Sequence, residues 1–258
     1  MNSREDLDDF IKNGHKQYLS HLSIDPVIFG YHDQQLKILL LRWRGLNGWG
    51  LPGGFIRKRE PLSQAANRIL QERTGLDNVF LQQFQVFGDS PYRLQERNAQ
   101  EFANTYGFEV DTDHWLFERT LSISYFALVD YSRVSVTTDF FTDGYQWCDV
   151  SEIPSLLFDQ NEVVEKALAT LRLQIYHQPI GYNLLPDKFT LPEIHSLYET
   201  ILGKKLDPWN FGKKLVSLGL INKLDERRSI GAHRSPYLYQ FDKEAYENAL
   251  TQGIVHTY

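Results

Sequence analysis

Cysteine and methionine are almost absent, one of each in 258 residues. With Cys148 alone, neither an internal disulfide nor a cysteine-rich zinc site can form. Long apolar runs are missing too. The longest aliphatic stretch, Ile38-Leu39-Leu40-Leu41, falls far short of the ~20 residues a bilayer-spanning helix needs, so no membrane partner is expected. The opening MNSREDLDDF is acidic and has no apolar h-region, which speaks against a secretory signal and for a cytoplasmic protein. There is no G-x-S-x-G elbow, no Walker A lysine motif and no His-Glu-x-x-His. What is present, 42% hydrophobic and 23% charged residues, describes a chain that folds around a core and excludes disorder and collagen-like repeats. The length suits one large domain or two modest ones.

Charge divides the chain. Residues 1–177 hold 17 Lys+Arg against 24 Asp+Glu, a net of −7, whereas residues 178–258 hold 10 against 9. Within 204–234 there are 8 basic and 3 acidic residues. A basic module joined to an acidic body points to an anionic partner for the module, although solvated helix faces are also often basic.

Ile24 to Trp43 reads as a hairpin around His32-Asp33-Gln34, rich in β-branched and aliphatic residues. A glycine-rich loop follows through Gly53-Gly54. A helix is expected from Ser63, as N-cap, with Ala66, Ile69, Leu70 and Arg73 at helical spacing until Gly75 stops it. Strand signals return at Phe80–Phe87, Leu121–Val129 and Gly144–Val150, and Asn161–Gln174 reads as a second helix. Strand sets interleaved with two helices predict an α/β/α sandwich. Residues 90–114 carry no clean period and read as an insertion, a lid or an extra arm.

His177-Gln178-Pro179-Ile180-Gly181 breaks the chain as a linker. Beyond it, Thr190 caps a helix through Leu202, and Asp207-Pro208 opens another with Phe211, Leu215 and Leu218 inward. LINKLDERR and SPYLYQFD then form a ribbon around a basic turn. Helix, helix and a hairpin with a cationic tip is the layout of a winged helix-turn-helix.

The segment GFIRKREPLSQAANRILQERTGL carries the sharpest motif. It resembles the Nudix box, G-x5-E-x7-R-E-U-x-E-E-x-G-U, with Gly54, Glu60, Arg68, Leu70, Glu72, Gly75 and Leu76 on pattern positions. The resemblance implies a Nudix-type α/β/α sandwich with a mixed sheet over residues 20–175, followed by a small winged helix domain over 182–258. In hydrolytic Nudix members the box carboxylates hold Mg²⁺ or Mn²⁺ on a diphosphate substrate, which requires several hard anionic oxygens around the cation. Here Ile69 and Arg73 stand at two glutamate positions, leaving Glu60 and Glu72. The expectation is therefore a non-catalytic box with no metal cofactor, Glu72 pairing with Arg68, Arg73 or a backbone group. The alternative is a Mg²⁺-dependent nucleoside diphosphate pyrophosphatase.

A degenerate box joined to a winged helix resembles the Nudix-related transcriptional regulators, both the NrtR branch that responds to ADP-ribose-type nucleotides and the AraR branch that responds to pentoses. The segment PIGYNLLPDKFTLPEIHSLYETILGKKLDPWNFGKKL is similar to the AraR branch. The resemblance thus implies a repressor of sugar catabolism that senses a pentose such as L-arabinose or xylose, binds a double-stranded DNA operator as a homodimer, and releases it on binding. The competing effector is an ADP-ribose-like nucleotide, with Arg57-Lys58-Arg59 for its diphosphate. Arg42, Trp49, Phe55, Glu118, Arg119 and Tyr125 are the effector-binding candidates; the bland reading makes the aromatics core and Glu118 with Arg119 a surface pair. Asn210, Lys213 and Lys214 on the recognition helix and Arg227, Arg228, His233 and Arg234 at the wing are the DNA-binding candidates. Gly212 stands where related regulators often carry a basic residue, which is read as a lost DNA contact.

Overall fold

The structure is a computed structural model and describes residues 3–44, 48–77, 79–91, 99–108, 111–175, 184–229 and 235–252. The chain separates into two compact units, one of residues 1–30 and 37–167, the other of residues 31–36 and 168–258.

The first unit opens with helix α1 (Arg4–Gln17), which composition did not announce. Ser3 Oγ accepts from Asp6 N and the Asp6 carboxylate accepts from Ser3 N, a reciprocal cap that starts the helix. Leu7, Ile11 and Gly14 are buried. Strands β1 (Tyr18–His32) and β2 (Gln35–Trp43) follow. Asp33 and Gln34 between them have φ of 47° and 60°, the two left-handed residues of a tight hairpin turn. Next come β3 (Gly48–Gly50), β4 (Gly54–Arg57), helix α2 (Leu62–Thr74) and β5 (Leu81–Phe87). Helix α3 (Ala99–Tyr106), β6 (Leu121–Val129), β7 (Thr142–Asp149) and α4 (Gln160–Gln174) complete the series.

The seven strands form one sheet in the order β3-β2-β1-β6-β5, with β4 on β1 and β7 on β2. β1 and β6 run parallel while the other registered pairs run antiparallel, so the sheet is mixed as expected. On one face Leu70 of α2 packs with Ile28, Leu39, Ala127 and Val129, an apolar seam that fixes the helix against the sheet. α2 begins one residue earlier than Ser63, with Pro61 at the N-cap and no side-chain cap. Its end is as read: Gly75 sits at φ 70°, a left-handed position that glycine occupies without strain.

In place of a free lid, the described part of the 90–118 region joins α1 in an aromatic layer. Trp115 donates from Nε1 to Ile11 O at 2.9 Å and stacks edge-on against Phe10. Gly14 is where α1 lies flat on the Trp115 indole, so a Cβ there would collide with it.

In the second unit, β8 (Phe189–Thr190) leads into α5 (Leu191–Leu202) and α6 (Pro208–Ser217), and β9 (Ile221–Arg227) and β10 (Tyr237–Phe241) follow to complete a three-stranded sheet in the order β8-β10-β9. A last helix, α7 (Lys243–Gln252), starts at Asp242, whose carboxylate accepts from Ala245 N. Phe211 packs against His195 and Tyr198, with ring centroids 5.3 and 4.9 Å away. Leu197 and Ile201 are fully buried beside them. Among the described residues no helix is long and apolar enough to cross a membrane.

Candidate functional site

β4 and the turn that leads into α2 are held to that helix by one guanidinium. Arg68 donates from Nε to Glu60 Oε1 at 2.7 Å and from Nη2 to Glu60 Oε2 at 2.8 Å, a bidentate pair. The same Nη2 reaches Phe55 O at 3.0 Å, and Nη1 reaches Glu72 Oε2 at 3.2 Å. Glu60 also accepts from Arg57 N at 3.1 Å. The Arg68 hydrogen bonds hold the Glu60 carboxyl below its ordinary range, and the same pairing raises the Arg68 guanidinium. Both surviving box carboxylates are thus engaged by Arg68.

Ile69, at the first missing glutamate, is 1% exposed and packs with Ile24, Ile56, Ala65, Ala66 and Tyr125. It lies under Gly54, whose missing side chain gives it room: a Cβ there would approach Ile69 to 3.1 Å. Arg73, at the other missing glutamate, pairs with Asp139 at 2.7 Å and donates to Gly53 O at 3.1 Å. Asp139 is itself organised by Phe141 N and Thr142 Oγ1 on its other oxygen. Above the sheet, Asp25 accepts from Ser23 and Ser122, and a Cβ on Gly53 would fall 2.5 Å from Asp25 Oδ1. A side chain at position 53 would have to push the Asp25 carboxylate aside. Asp139 and the Asp25–Ser122 pair were not singled out from sequence.

The six effector candidates fall into separate settings. Arg42 pairs with Asp143 at 2.7 Å and faces Trp49 across β2 and β3. Phe55 belongs to the aromatic layer, with ring centroids 6.1 Å from Phe10 and 5.3 Å from Trp115. Tyr125 is 7% exposed in the Ile69 core, and burial raises its hydroxyl pKa. Glu118 meets His21, and Arg119 donates to Gly88 O, so these two are not a pair with each other. The core reading thus describes Phe55 and Tyr125 better than an effector platform does.

In the second unit Asn210, Lys213 and Lys214 are exposed on α6, as their spacing predicts. Gly212 is buried instead, and a Cβ there would meet Leu191 Cδ1 at 3.2 Å. A basic residue at 212 would point into the α5 contact, so Gly212 marks close helix packing and not a lost DNA contact. Arg227 and Lys223 both lie over the Tyr237 ring, 3.9 and 3.5 Å from its centroid. Arg228 ties the base of the wing to Glu193, which also accepts from Thr190 N to cap α5, and to Lys188 O at 2.8 Å. That makes Arg228 a strut. His233 and Arg234 lie outside the described residues.

The family model of the NUDIX domain matches residues 21–171, and that of the NrtR DNA-binding winged helix domain matches residues 181–241. The chain belongs to the Nudix-related transcriptional regulators. Over 233 residues, 88% of this chain and 84% of the relative, it is 26% identical to the ADPR-responsive transcriptional repressor NtrR of Acinetobacter baylyi. NrtR of Shewanella oneidensis, crystallised with a 27mer DNA, is 26% identical at a TM-score of 0.67, with 88% of this chain and 95% of that one covered. A MutT/nudix family protein of Enterococcus faecalis shares the fold at a TM-score of 0.62 and 19% identity, with 94% and 100% covered. The matched winged helix model is the NrtR one, and nothing in these comparisons supports sugar catabolism or a pentose effector; that expectation is set aside.

The divalent cation of catalytic Nudix domains does not fit the residues present. A hydrocarbon and a guanidinium occupy two ligand positions, and the remaining carboxylates are bonded to Arg68. Among the described residues no three His, Cys, Asp or Glu side chains converge as a ligand set.

Proposed function

We propose that this regulator is a DNA-binding repressor whose Nudix domain senses ADP-ribose, or a nucleoside diphosphate sugar close to it, without cleaving it. The observation that carries the reading is the double engagement of Glu60 and Glu72 by Arg68. Hydrolysis needs free carboxylate oxygens to hold a hydrated cation; recognition of a bound molecule does not. The name of the Acinetobacter relative favours ADP-ribose over a pentose. Arg57 at the end of β4 and Lys58 and Arg59 in the turn after it are exposed and supply positive charge for a diphosphate. Asn210, Lys213 and Lys214 would face DNA, with the wing over backbone phosphate. A homodimer on a two-fold operator suits a single short recognition helix, and ADP-ribose would release the DNA by favouring a geometry that no longer matches the half-sites.

The full-length protein tests this in three measurements. ADP-ribose is expected to raise the melting temperature while L-arabinose and xylose leave it unchanged. Gel shifts on genomic fragments should show complexes that ADP-ribose dissolves. Incubation of ADP-ribose with magnesium should release no AMP. Turnover that disappears in Glu72→Gln would establish a pyrophosphohydrolase in place of the sensor, and stabilisation by a pentose alone would overturn the choice of effector.

A further inference from the structure

Helix α6 shows two unlike faces. Phe211, Gly212 and Leu215 turn to α5 and the core. The outward face carries Lys213 and Lys214, and on it lie two large apolar side chains with no cover, Trp209 at 79% and Val216 at 46% exposure. Trp209 stands in the first turn, directly after the Asp207-Pro208 cap, between that cap and Asn210. The amino-terminal residues of a recognition helix are the ones that meet base edges in the major groove. Polar side chains read donors and acceptors there, whereas the C5-methyl of thymine is read by apolar contact.

We propose that Trp209 is a specificity residue that packs its indole against a thymine methyl in the operator's major groove. The inference rests on the DNA-binding reading above. The neighbours select DNA as the occupant over a second copy of the chain. Across a two-fold interface, Lys213 and Lys214 would face their own duplicates, like charge against like charge. Against a duplex they face phosphates on either side of the groove that holds the methyl.

The test uses the full-length protein and duplexes selected by it from a random-sequence pool. Each selected thymine is then replaced by deoxyuridine, which deletes the methyl and nothing else. The wild type is expected to lose about fourfold in affinity when the contacted methyl is removed, the equivalent of ~0.8 kcal/mol. Trp209→Ala should bind the thymine duplex about tenfold more weakly and no longer distinguish it from the uracil form. Its salt dependence should be unchanged, because no phosphate contact is lost. Trp209→Phe, which keeps an aromatic face, should retain discrimination, and circular dichroism checks that each variant is folded.

Discrimination by Trp209→Ala equal to wild type would overturn the assignment while leaving DNA binding intact. A change of oligomeric state in sedimentation, with methyl discrimination preserved, would place the indole at an interface between copies and overturn it as well. No sequence enrichment by the wild type would remove the DNA-binding reading, and this inference with it.

Discussion

Arg73→Met removes the charge from the position where the Nudix pattern has a glutamate and keeps the stem of the side chain. Arg73 meets Asp139 at 2.7 Å, with the two side chains only 17% and 12% exposed. A hydrogen bond to a charged group contributes about 1.5–3 kcal/mol, and removing one partner of a fully buried pair costs about 3–5 kcal/mol. Asp139 keeps Phe141 N and Thr142 Oγ1 on its other oxygen, so it is not orphaned. The lower range therefore applies, about 2–3 kcal/mol for Arg73→Met and a similar loss for Asp139→Asn. Because both delete the Arg73–Asp139 pair, the double variant should lose little more than Arg73→Met, which also gives up the Gly53 O bond, and the coupling should be about 2 kcal/mol. The melting temperature of the Nudix domain should fall by roughly 5–10 °C in each single variant. Urea titrations followed by circular dichroism on all four proteins close the cycle. A coupling below about 0.5 kcal/mol would refute the reasoning and class the pair with screened surface contacts. Arg73→Glu separates this from simple masking of a metal site. It sets a carboxylate against Asp139, and magnesium is expected to restore neither stability nor turnover, because Ile69 still offers no oxygen.

Glu60→Gln tests the Arg68 clamp through pH. The Glu60 pKa is lowered from 4.5 by its bonds to Arg68, so its stabilisation is complete above that value and fades as pH falls through the depressed one. The melting-temperature gap between wild type and Glu60→Gln should thus be widest near neutrality and close in acid; a gap that widens in acid would contradict the assignment. Alanine at both Lys213 and Lys214 should weaken binding to every duplex and flatten the salt slope by about 1.8, the worth of two phosphate contacts. Arg228→Ala should leave that slope alone and lower winged helix stability by up to ~1 kcal/mol, since the partly exposed Arg228–Glu193 pair is structural; a reduced slope would return Arg228 to the DNA contacts. Gly212→Arg should destabilise the second unit by about 1–3 kcal/mol without tightening DNA binding, as calorimetry and gel shifts can show.

Periodic local signals made part of this molecule readable. Gly75 ends α2, Leu121–Val129 is a strand at those residues, and Asn210, Lys213 and Lys214 face outward because Phe211 and Leu215 must face inward. Gly212 was open to the same reading: it lies beside Leu215 on the face opposite the lysines, and the period that buries Leu215 also buries it. α1 carries such a signal too, in Ser3 and Asp6 spaced as a reciprocal cap before Leu7 and Ile11. The partners of the decisive side chains had no such signal. Arg73 and Asp139 lie 66 residues apart, Arg228 and Glu193 35 apart, and Phe55 meets Phe10 and Trp115 from three different segments. Such pairings are set by how the sheet brings distant loops together, which no spacing rule encodes.

The same geometry gives a physical reading of the two positions at which this box departs from the catalytic pattern. A metal centre needs carboxylate lone pairs left uncommitted, and the cation then fixes the glycine loop relative to the helix. In this chain arginines do the fixing. Arg68 joins Glu60, Phe55 O and Glu72, while Arg73 joins Gly53 O and Asp139, so the chain on either side of Gly54 is tied to α2. Each guanidinium uses planar, directed donors that a hydrated cation does not supply. Ile69 adds apolar packing at the one position where a glutamate would have had to face the Gly54 backbone. On the proposed reading these bonds supply rigidity in place of metal ligation, and the cations beside the loop are left to meet an anion.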